Sequence, residues 1–145
     1  MSTFLDTPTT RIDPFAPAKP GPLTLRNRVI KAATFEGLTP KGLVTDELIE
    51  FHRRPAAGGV GMTTVAYCAV APDGRTAPGQ LQWTDETRPG MRKLTDAIHN
   101  EGAAVSAQIG HAGPVAASLP YPWVTGCGPR RRYAPGSLGV CVVSG

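Results

Sequence analysis

VGMTTVAYCAVAP, the stretch from Val60 to Pro72, contains no charged residue and several β-branched ones. An uncharged run of this kind is typical of a strand that is buried on both faces of a parallel sheet. A second uncharged run, AAVSAQI, extends from Ala103 to Ile109. The two runs predict strands near residues 60–66 and 103–109, and they indicate a fold built around a buried sheet.

A helical pattern precedes each of these runs. Residues 45–56 start at Thr45, a good N-cap residue, and acidic side chains follow in the first turn. We expect Pro55 and the glycines after it to end this helix. A second helix is predicted over residues 86–101, where apolar residues recur at i, i+3 and i+7 on one helix face. These apolar residues are Met91, Leu94 and Ile98.

An earlier segment, LTLRNRVIKAA, predicts a further strand near residues 28–33, with room for a short hairpin before it. The order is therefore strand, helix, strand, helix, strand. Repeating βα units with apolar strands predict an α/β fold with a parallel sheet, whose strands lie side by side in chain order. We expect the helices to cover one face of the sheet and the third strand to leave its outer edge unpaired.

Composition divides the chain into three parts. Residues 1–22 hold several prolines without periodicity and predict an extended N-terminal arm. Residues 23–117 hold the βα units. Residues 118–145 predict an irregular tail, in which only Val140 to Val143 could extend.

The overall composition is that of an ordinary globular chain, with 41% hydrophobic and 18% charged residues. The net charge is +4, but the late excess lies in Arg130 to Arg132 without interleaved aromatic residues, which argues against a nucleic-acid partner. The three cysteines lack metal-ligand spacing, so we expect free thiols in a reducing compartment and no metal site. Neither a membrane span nor a secretory signal is visible, and we expect a soluble cytoplasmic protein.

Small residues at the predicted strand ends indicate where a ligand would bind. Ligands of parallel α/β folds gather at the carboxyl ends of the strands, which here read KAATFEG, AYCAV and QIGHAG. Alanine and glycine let a flat ligand approach the backbone, and the Gln108 amide adds a donor and an acceptor in one plane. The pyrimidine edge of a flavin has the matching alternation of carbonyl acceptors and an imide N–H donor. The other interpretation is a glycine-rich turn that carries polar residues.

Three blocks, LRNRVIKAATFEG, AGGVGMTTVAYCAVAPDGR and AQIGHAG, together resemble the old yellow enzyme family of FMN-dependent oxidoreductases. The resemblance covers about residues 10–117. It implies that the chain is the N-terminal portion, about three βα units, of a TIM (β/α)8 barrel. Members of this family bind FMN across the C-terminal mouth of the barrel and reduce it with NADH or NADPH. They then pass hydride to the β-carbon of an activated alkene such as an enone.

The resemblance also implies which residues bind the cofactor. These residues are Ala32, Ala33, Thr34, Phe35, Tyr67 and Gln108. The first four would lie beneath or beside the isoalloxazine, mostly through backbone atoms. Tyr67 would supply a backbone contact near the pyrimidine end, which the Gln108 amide would bind. The family often has Thr or Cys where Phe35 stands, and Thr34 lies one position earlier, so either residue could face the flavin.

The length of the chain departs from the family pattern, because a (β/α)8 barrel needs about 250 residues. We therefore expect an incomplete fragment, from a truncated or frameshifted reading frame, that is inactive by itself. One alternative is a non-catalytic product without stable FMN binding, and another is a small basic binding module that uses the arginine cluster. Flavin absorbance of the purified chain would separate the flavoprotein from both alternatives.

The remaining candidate residues are expected to have structural roles. The resemblance gives His111 no part in proton transfer, so we expect it to be structural. His52 and His99 lie on the predicted helices and are expected to be solvated. Cys68 is expected to be a packed thiol within a strand.

Overall fold

The computed structural model describes residues 11–113, Ala116 and residues 138–143 of the 145-residue chain. Its elements in chain order are β1 (Ile30–Lys31), α1 (Asp46–Ala57), β2 (Met62–Ala69), a 3₁₀ turn (Pro72–Gly74), α2 (Arg88–Asn100), β3 (Ala104–Gly110) and β4 (Leu138–Val143). Both helices and the first three strands lie within a few residues of where the sequence predicts them.

A single four-stranded sheet, in the order β1-β2-β3-β4, organises these elements. The first three strands are parallel, and Met62 on β2 lies opposite Ile30 on one side and Ala104 on the other. This arrangement confirms the predicted α/β fold, with neighbouring strands connected by helices in chain order.

Helix α1 is fixed at both ends by local hydrogen bonds. At its start the Thr45 hydroxyl accepts a hydrogen bond from the Leu48 backbone N–H at 3.2 Å, as an N-cap does. At its end the Gly58 N–H donates to carbonyls of the last turn. Pro55 lies inside the helix, which continues to Ala57, so the prediction that Pro55 helps to end it was wrong. The proline removes only one helical N–H, and the turn still closes onto Gly58.

We expect Thr45→Ala to lower the free energy of unfolding by about 1 kcal/mol, because the substitution removes the N-cap. It also removes the hydrogen bond that the hydroxyl donates to the Leu38 carbonyl at 2.7 Å. Urea unfolding followed by circular dichroism measures the change. Thr95→Ala is the matched control, because the Thr95 hydroxyl only bonds back to the Met91 carbonyl within α2. Equal losses in both variants would contradict the capping role.

The hydrophobic core lies between the two helices and one face of the sheet. Strand residues alternate between the two faces, and Val65 and Ala107 point toward the helices. The fully or almost fully buried members of the core are Leu48, Ala56, Val65, Cys68, Leu81, Met91, Leu94, Ile98, Ala103, Val105 and Ala107. The prediction that the helices cover one face is confirmed. Leu81 comes from a segment for which no element was predicted.

The segment before β1 anchors the end of the sheet opposite the strand carboxyl ends. The Arg26 guanidinium donates to the carbonyls of Ala56 and Glu101, at the C-terminal ends of α1 and α2. Carbonyls in the last turn of a helix lack the N–H donor four residues further on that a helix interior provides, and the guanidinium supplies additional donors to them. Close by, a Cβ on Gly61 would lie 2.5 Å from the Asn27 carbonyl oxygen, so a side chain there would separate β1 from β2.

Strand β1 is shorter than predicted, because only Ile30 and Lys31 pair with β2. The residues that follow leave the sheet and turn toward α1. Before the strand, Ala18 and Leu25 form an isolated antiparallel bridge with hydrogen bonds in both directions. This bridge is a minimal form of the hairpin that the sequence allowed.

Strand β4 pairs antiparallel with β3 along its whole length, from Gly110 opposite Leu138 to Val105 opposite Val143. The expectation that the outer edge of β3 is unpaired was therefore wrong. The sequence indicated only that Val140 to Val143 could extend, and it gave no sign of the partner, because the pairing is set by contacts far apart along the chain.

Some predictions fall on parts of the chain outside the described residues. These include the arginine cluster at Arg130 to Arg132, Cys127 and most of the predicted tail. Within the described residues, neither helix is long and apolar enough to cross a membrane.

Candidate functional site

The predicted site residues lie at the edge of the sheet where the parallel strands have their carboxyl ends. Residues 32–35 directly follow β1, whereas Tyr67 and Gln108 lie near the ends of β2 and β3. Because the three strands are parallel, their carboxyl ends meet at the same edge. The structure thus places all of the positions that the resemblance marked at the same end of the sheet.

The pairing of β2 with β3 is irregular at this edge. Val65 lies opposite Ala107 and Cys68 lies opposite Ile109, so Ala66 and Tyr67 together face the single residue Gln108. Such a bulge redirects side chains and is common at barrel rims and next to active sites. Sequence reasoning missed it, because an extra residue in a strand leaves no mark in an uncharged run.

Aromatic rings border the site. The rings of Phe35 and Tyr67 are stacked, with centroids 6.4 Å apart and planes inclined by 6°. Phe35 is 46% exposed and Tyr67 is half-buried. The pair forms a partly solvent-accessible apolar surface between the ends of β1 and β2.

Thr34 has a hydrogen-bond partner of its own. Its hydroxyl accepts from the Lys31 ammonium at 3.2 Å. Lys31 lies opposite Thr63 in the sheet, on the face that packs against α1. Of the two residues that the sequence left open, Phe35 is therefore the one whose side chain contacts Tyr67.

The Gln108 side chain is half-buried, and among the described residues no group forms a hydrogen bond with its amide. One pleat earlier on the same face of β3, the buried Ser106 hydroxyl bonds to that of Thr64 at 2.8 Å. The polar groups deeper in this face thus satisfy each other. The Gln108 amide keeps a donor and an acceptor available for a ligand.

A buried polar cluster lies behind this edge, on the helix side of the sheet. The side chain of Glu36 is 2% exposed and that of His52 is fully buried, with Glu36 Oε1 3.1 Å from His52 Nε2. These two atoms lie within ion-pair distance but are not aligned for a hydrogen bond. His52 Nδ1 lies 2.7 Å from the Thr63 hydroxyl, with which it shares a hydrogen bond.

The expectation that His52 is solvated was therefore wrong. The signal that could have revealed it is helical spacing: Leu48, His52 and Ala56 are four residues apart, lie on one face of α1 and are all buried. His99, on α2, is only half-buried. Glu36 carried no sequence signal, since it lies outside any periodic segment.

His111 packs against the turn that follows β2. Its ring lies so close to Gly74 that a Cβ there would be 2.6 Å from the imidazole Cδ2. Its Nδ1 accepts a hydrogen bond from the Gly113 N–H, and its Nε2 lies 3.5 Å from Asp73 Oδ1. These contacts join the loops after β2 and β3, as a structural role requires.

Cys68 is a buried thiol within β2, as expected. Burial, with a smaller contribution from the nearby Glu36 carboxylate, raises the pKa of this thiol to about 12. It therefore stays protonated at neutral pH and is a poor nucleophile or metal ligand. No group of three or more potential metal ligands occurs within the described residues.

Comparison with known proteins gives a consistent result. Residues 13–123 match the NADH:flavin oxidoreductase / NADH oxidase family. The chain is 54% identical over 126 residues to a 4,4'-dithiodibutanoate disulfide reductase of Rhodococcus erythropolis, a match that covers 87% of this chain and 31% of the relative. It is 46% identical over 105 residues to a metal reductase of Desulforamulus reducens, which covers 72% of this chain and 16% of that protein.

Solved structures agree with the fold. A 2-naphthoyl-CoA reductase in complex with 2-naphthoyl-CoA superimposes with a TM-score of 0.67 at 34% identity, over 71% of this chain and 16% of that one. Morphinone reductase in complex with tetrahydroNAD gives a TM-score of 0.67 at 24% identity, over 73% of this chain and 29% of that one. The described βα units thus have the fold of part of a TIM barrel of the old yellow enzyme type. The chain spans about a third or less of the length of each relative.

Proposed function

Because this chain belongs to the NADH:flavin oxidoreductase / NADH oxidase family, we propose that it supplies the N-terminal part of an FMN site in an NAD(P)H-dependent oxidoreductase. The observation that carries the proposal is the Gln108 amide. It is half-buried, free of hydrogen bonds to the described residues, and placed at a strand bulge beside Tyr67. A planar donor and acceptor at this position suit the pyrimidine edge of a flavin.

The other residues of the edge would hold the ring system. Ala32 and Ala33 have no side-chain atoms beyond Cβ, so the isoalloxazine can lie against their backbone. Phe35 would face the flavin alongside Tyr67, since the Thr34 hydroxyl is held by Lys31. Bound FMN would supply hydride transfer from NADH or NADPH to an activated alkene such as an enone. The role that we propose for the described residues is to bind and orient the flavin.

The proposal is tested in a barrel completed by a relative. Residues 1–113 of this chain are joined to the remainder of the Rhodococcus disulfide reductase, with the junction inside the segment that the two proteins share. We expect this chimera to bind FMN. Gln108→Ala should weaken binding by about 1–3 kcal/mol, or roughly 5- to 150-fold in Kd, because flavin polar groups lose their partner in a buried site.

Quenching of FMN fluorescence measures both affinities. Asn100→Ala is the matched control, since it removes an exposed amide at the end of α2. This position lies at the end of the sheet opposite the carboxyl ends of the strands. We expect it to leave the Kd unchanged. An unchanged Kd for Gln108→Ala would mean that the amide does not contact the flavin, and a chimera that folds without FMN would reject the proposed site.

A further inference from the structure

We propose that Lys31 and Glu36 are positioning residues for the flavin site, in a role that rests on the proposed function. From behind the sheet they fix the backbone of the segment Ala32–Phe35, which would lie against the isoalloxazine. Neither residue would touch the cofactor. They act through the segment that lies between them in the sequence.

The Lys31 ammonium is the centre of this arrangement. It donates hydrogen bonds to the Ala32 carbonyl and to the Thr34 hydroxyl, both at 3.2 Å. It also lies 5.0 Å from the centre of the Phe51 ring, which belongs to α1. One cation thus binds a backbone carbonyl and a side chain of the segment and also contacts the face of an aromatic ring on α1.

Glu36 holds this cation from the far end of the segment. Its Oε1 lies 3.6 Å from the Lys31 ammonium, and its side chain is 2% exposed. The same oxygen lies 3.1 Å from His52, whose other ring nitrogen shares a hydrogen bond with Thr63 on β2. The carboxylate therefore lies close to α1 and, through His52, is connected to β2, and its ion pair with Lys31 joins the two ends of the segment.

Stability alone does not account for this pair. Moving a carboxylate into a site that is almost closed to water is unfavourable, and apolar residues of similar size would stabilise such a site as well or better. What the pair adds is position, because the buried Glu36 carboxylate attracts the Lys31 ammonium, and that ammonium donates directed hydrogen bonds to Ala32 and Thr34. These contacts position the residues after β1, where an error of about an ångström would misplace a bound ring.

The experiment uses the full chain and nuclear magnetic resonance. Lys31→Met and Glu36→Gln remove one charge each with little change of shape, and Lys31→Arg is the conservative rescue. Lys41→Met and Glu47→Gln are matched controls, because they remove exposed charges. Backbone order parameters report the motion of the segment, and contacts between the rings of Phe35 and Tyr67 report its position.

In the unsubstituted chain we expect rigid amides at Ala33, Thr34 and Phe35, with order parameters of about 0.85. Lys31→Met and Glu36→Gln should lower them to below roughly 0.6 and remove the ring contact, while the amides of α1 keep their values. Lys31→Arg and both controls should match the unsubstituted chain. Lys31→Met decides the result if Glu36→Gln fails to fold, since the Lys31 side chain is 18% exposed, whereas that of Glu36 is 2% exposed, and methionine keeps most of the lysine's aliphatic length. A segment that stays rigid in Lys31→Met overturns the proposal.

The same substitutions in the FMN-binding chimera connect the segment to the cofactor. We expect the Kd for FMN to rise about tenfold in Lys31→Met and Glu36→Gln, because binding must then order the backbone that the ion pair no longer holds. If Gln108→Ala weakens binding and these two variants do not, the positioning role is wrong while the proposed function stands. If Gln108→Ala and both charge variants all leave the Kd unchanged, the proposed flavin site fails as well.

Discussion

FMN is expected to bind the isolated 145-residue chain no more tightly than about millimolar. The proposed contacts are a few hydrogen bonds from Gln108 and from the backbone near Ala33 and Tyr67. Each contributes about 0.5–1.5 kcal/mol net, which sums to far less than the roughly 8 kcal/mol of micromolar binding. In TIM barrels the phosphate is bound by loops after the seventh and eighth strands. The parallel strands that this structure describes are the first three.

Titration of the purified chain with FMN, followed by flavin fluorescence, measures this affinity. NAD(P)H oxidation with an enone as acceptor should show no turnover above the background of free FMN. The chimera that completes the barrel serves as the positive control. A yellow chain that retains stoichiometric FMN through gel filtration, or that turns over steadily, would contradict the expectation.

Ile98→Ala is expected to destabilise the chain by about 2–5 kcal/mol, because it removes a fully buried side chain and leaves a cavity. Ile98 lies in α2 and belongs to the core between the helices and the sheet. A loss of this size is a large part of the roughly 5–15 kcal/mol that holds an ordinary domain folded. We therefore expect most of the variant to unfold at low urea concentration.

Urea unfolding, monitored by circular dichroism, gives the change in the free energy of unfolding. Ile12→Ala is the matched control, since the same substitution is made at a side chain that is 69% exposed. It should change stability by less than about 0.5 kcal/mol. Similar values for the two variants would show that the packing between α2 and the sheet does not hold the fold together.

The helices and the two long strands could be predicted because their patterns are local. Leu94 and Ile98 repeat at helical spacing. The two uncharged runs, which form β2 and β3, are typical of buried strands. The length of β1 could not be predicted in this way. Val29 and Ile30 favour a strand equally well, but β1 ends at Lys31 because the residues after it leave the sheet, although β2 continues to Ala69.

The residues of the candidate site can likewise be divided into those that local sequence patterns predict and those that they do not. Gln108, Tyr67 and the alanines after β1 could be singled out because strand ends and small residues are visible in the sequence. The bulge that sets Tyr67 against Gln108 depends on the register of two strands, which no single segment encodes. The burial of His52 could have been predicted from helical periodicity. The burial of Glu36 could not, because it depends on the loop after β1 folding back onto α1.

The antiparallel strand β4 has a consequence for any attempt to complete the barrel from separate pieces. A further parallel strand would need the same N–H and C=O groups of β3 that β4 already uses from Val105 to Gly110. The two pairings exclude each other, so completion in trans is an exchange of one strand for another. A tethered strand competes at an effective concentration of roughly millimolar. A polypeptide added in solution must therefore bind this edge tightly enough to overcome that advantage, and removing residues 138–143 should make the exchange easier.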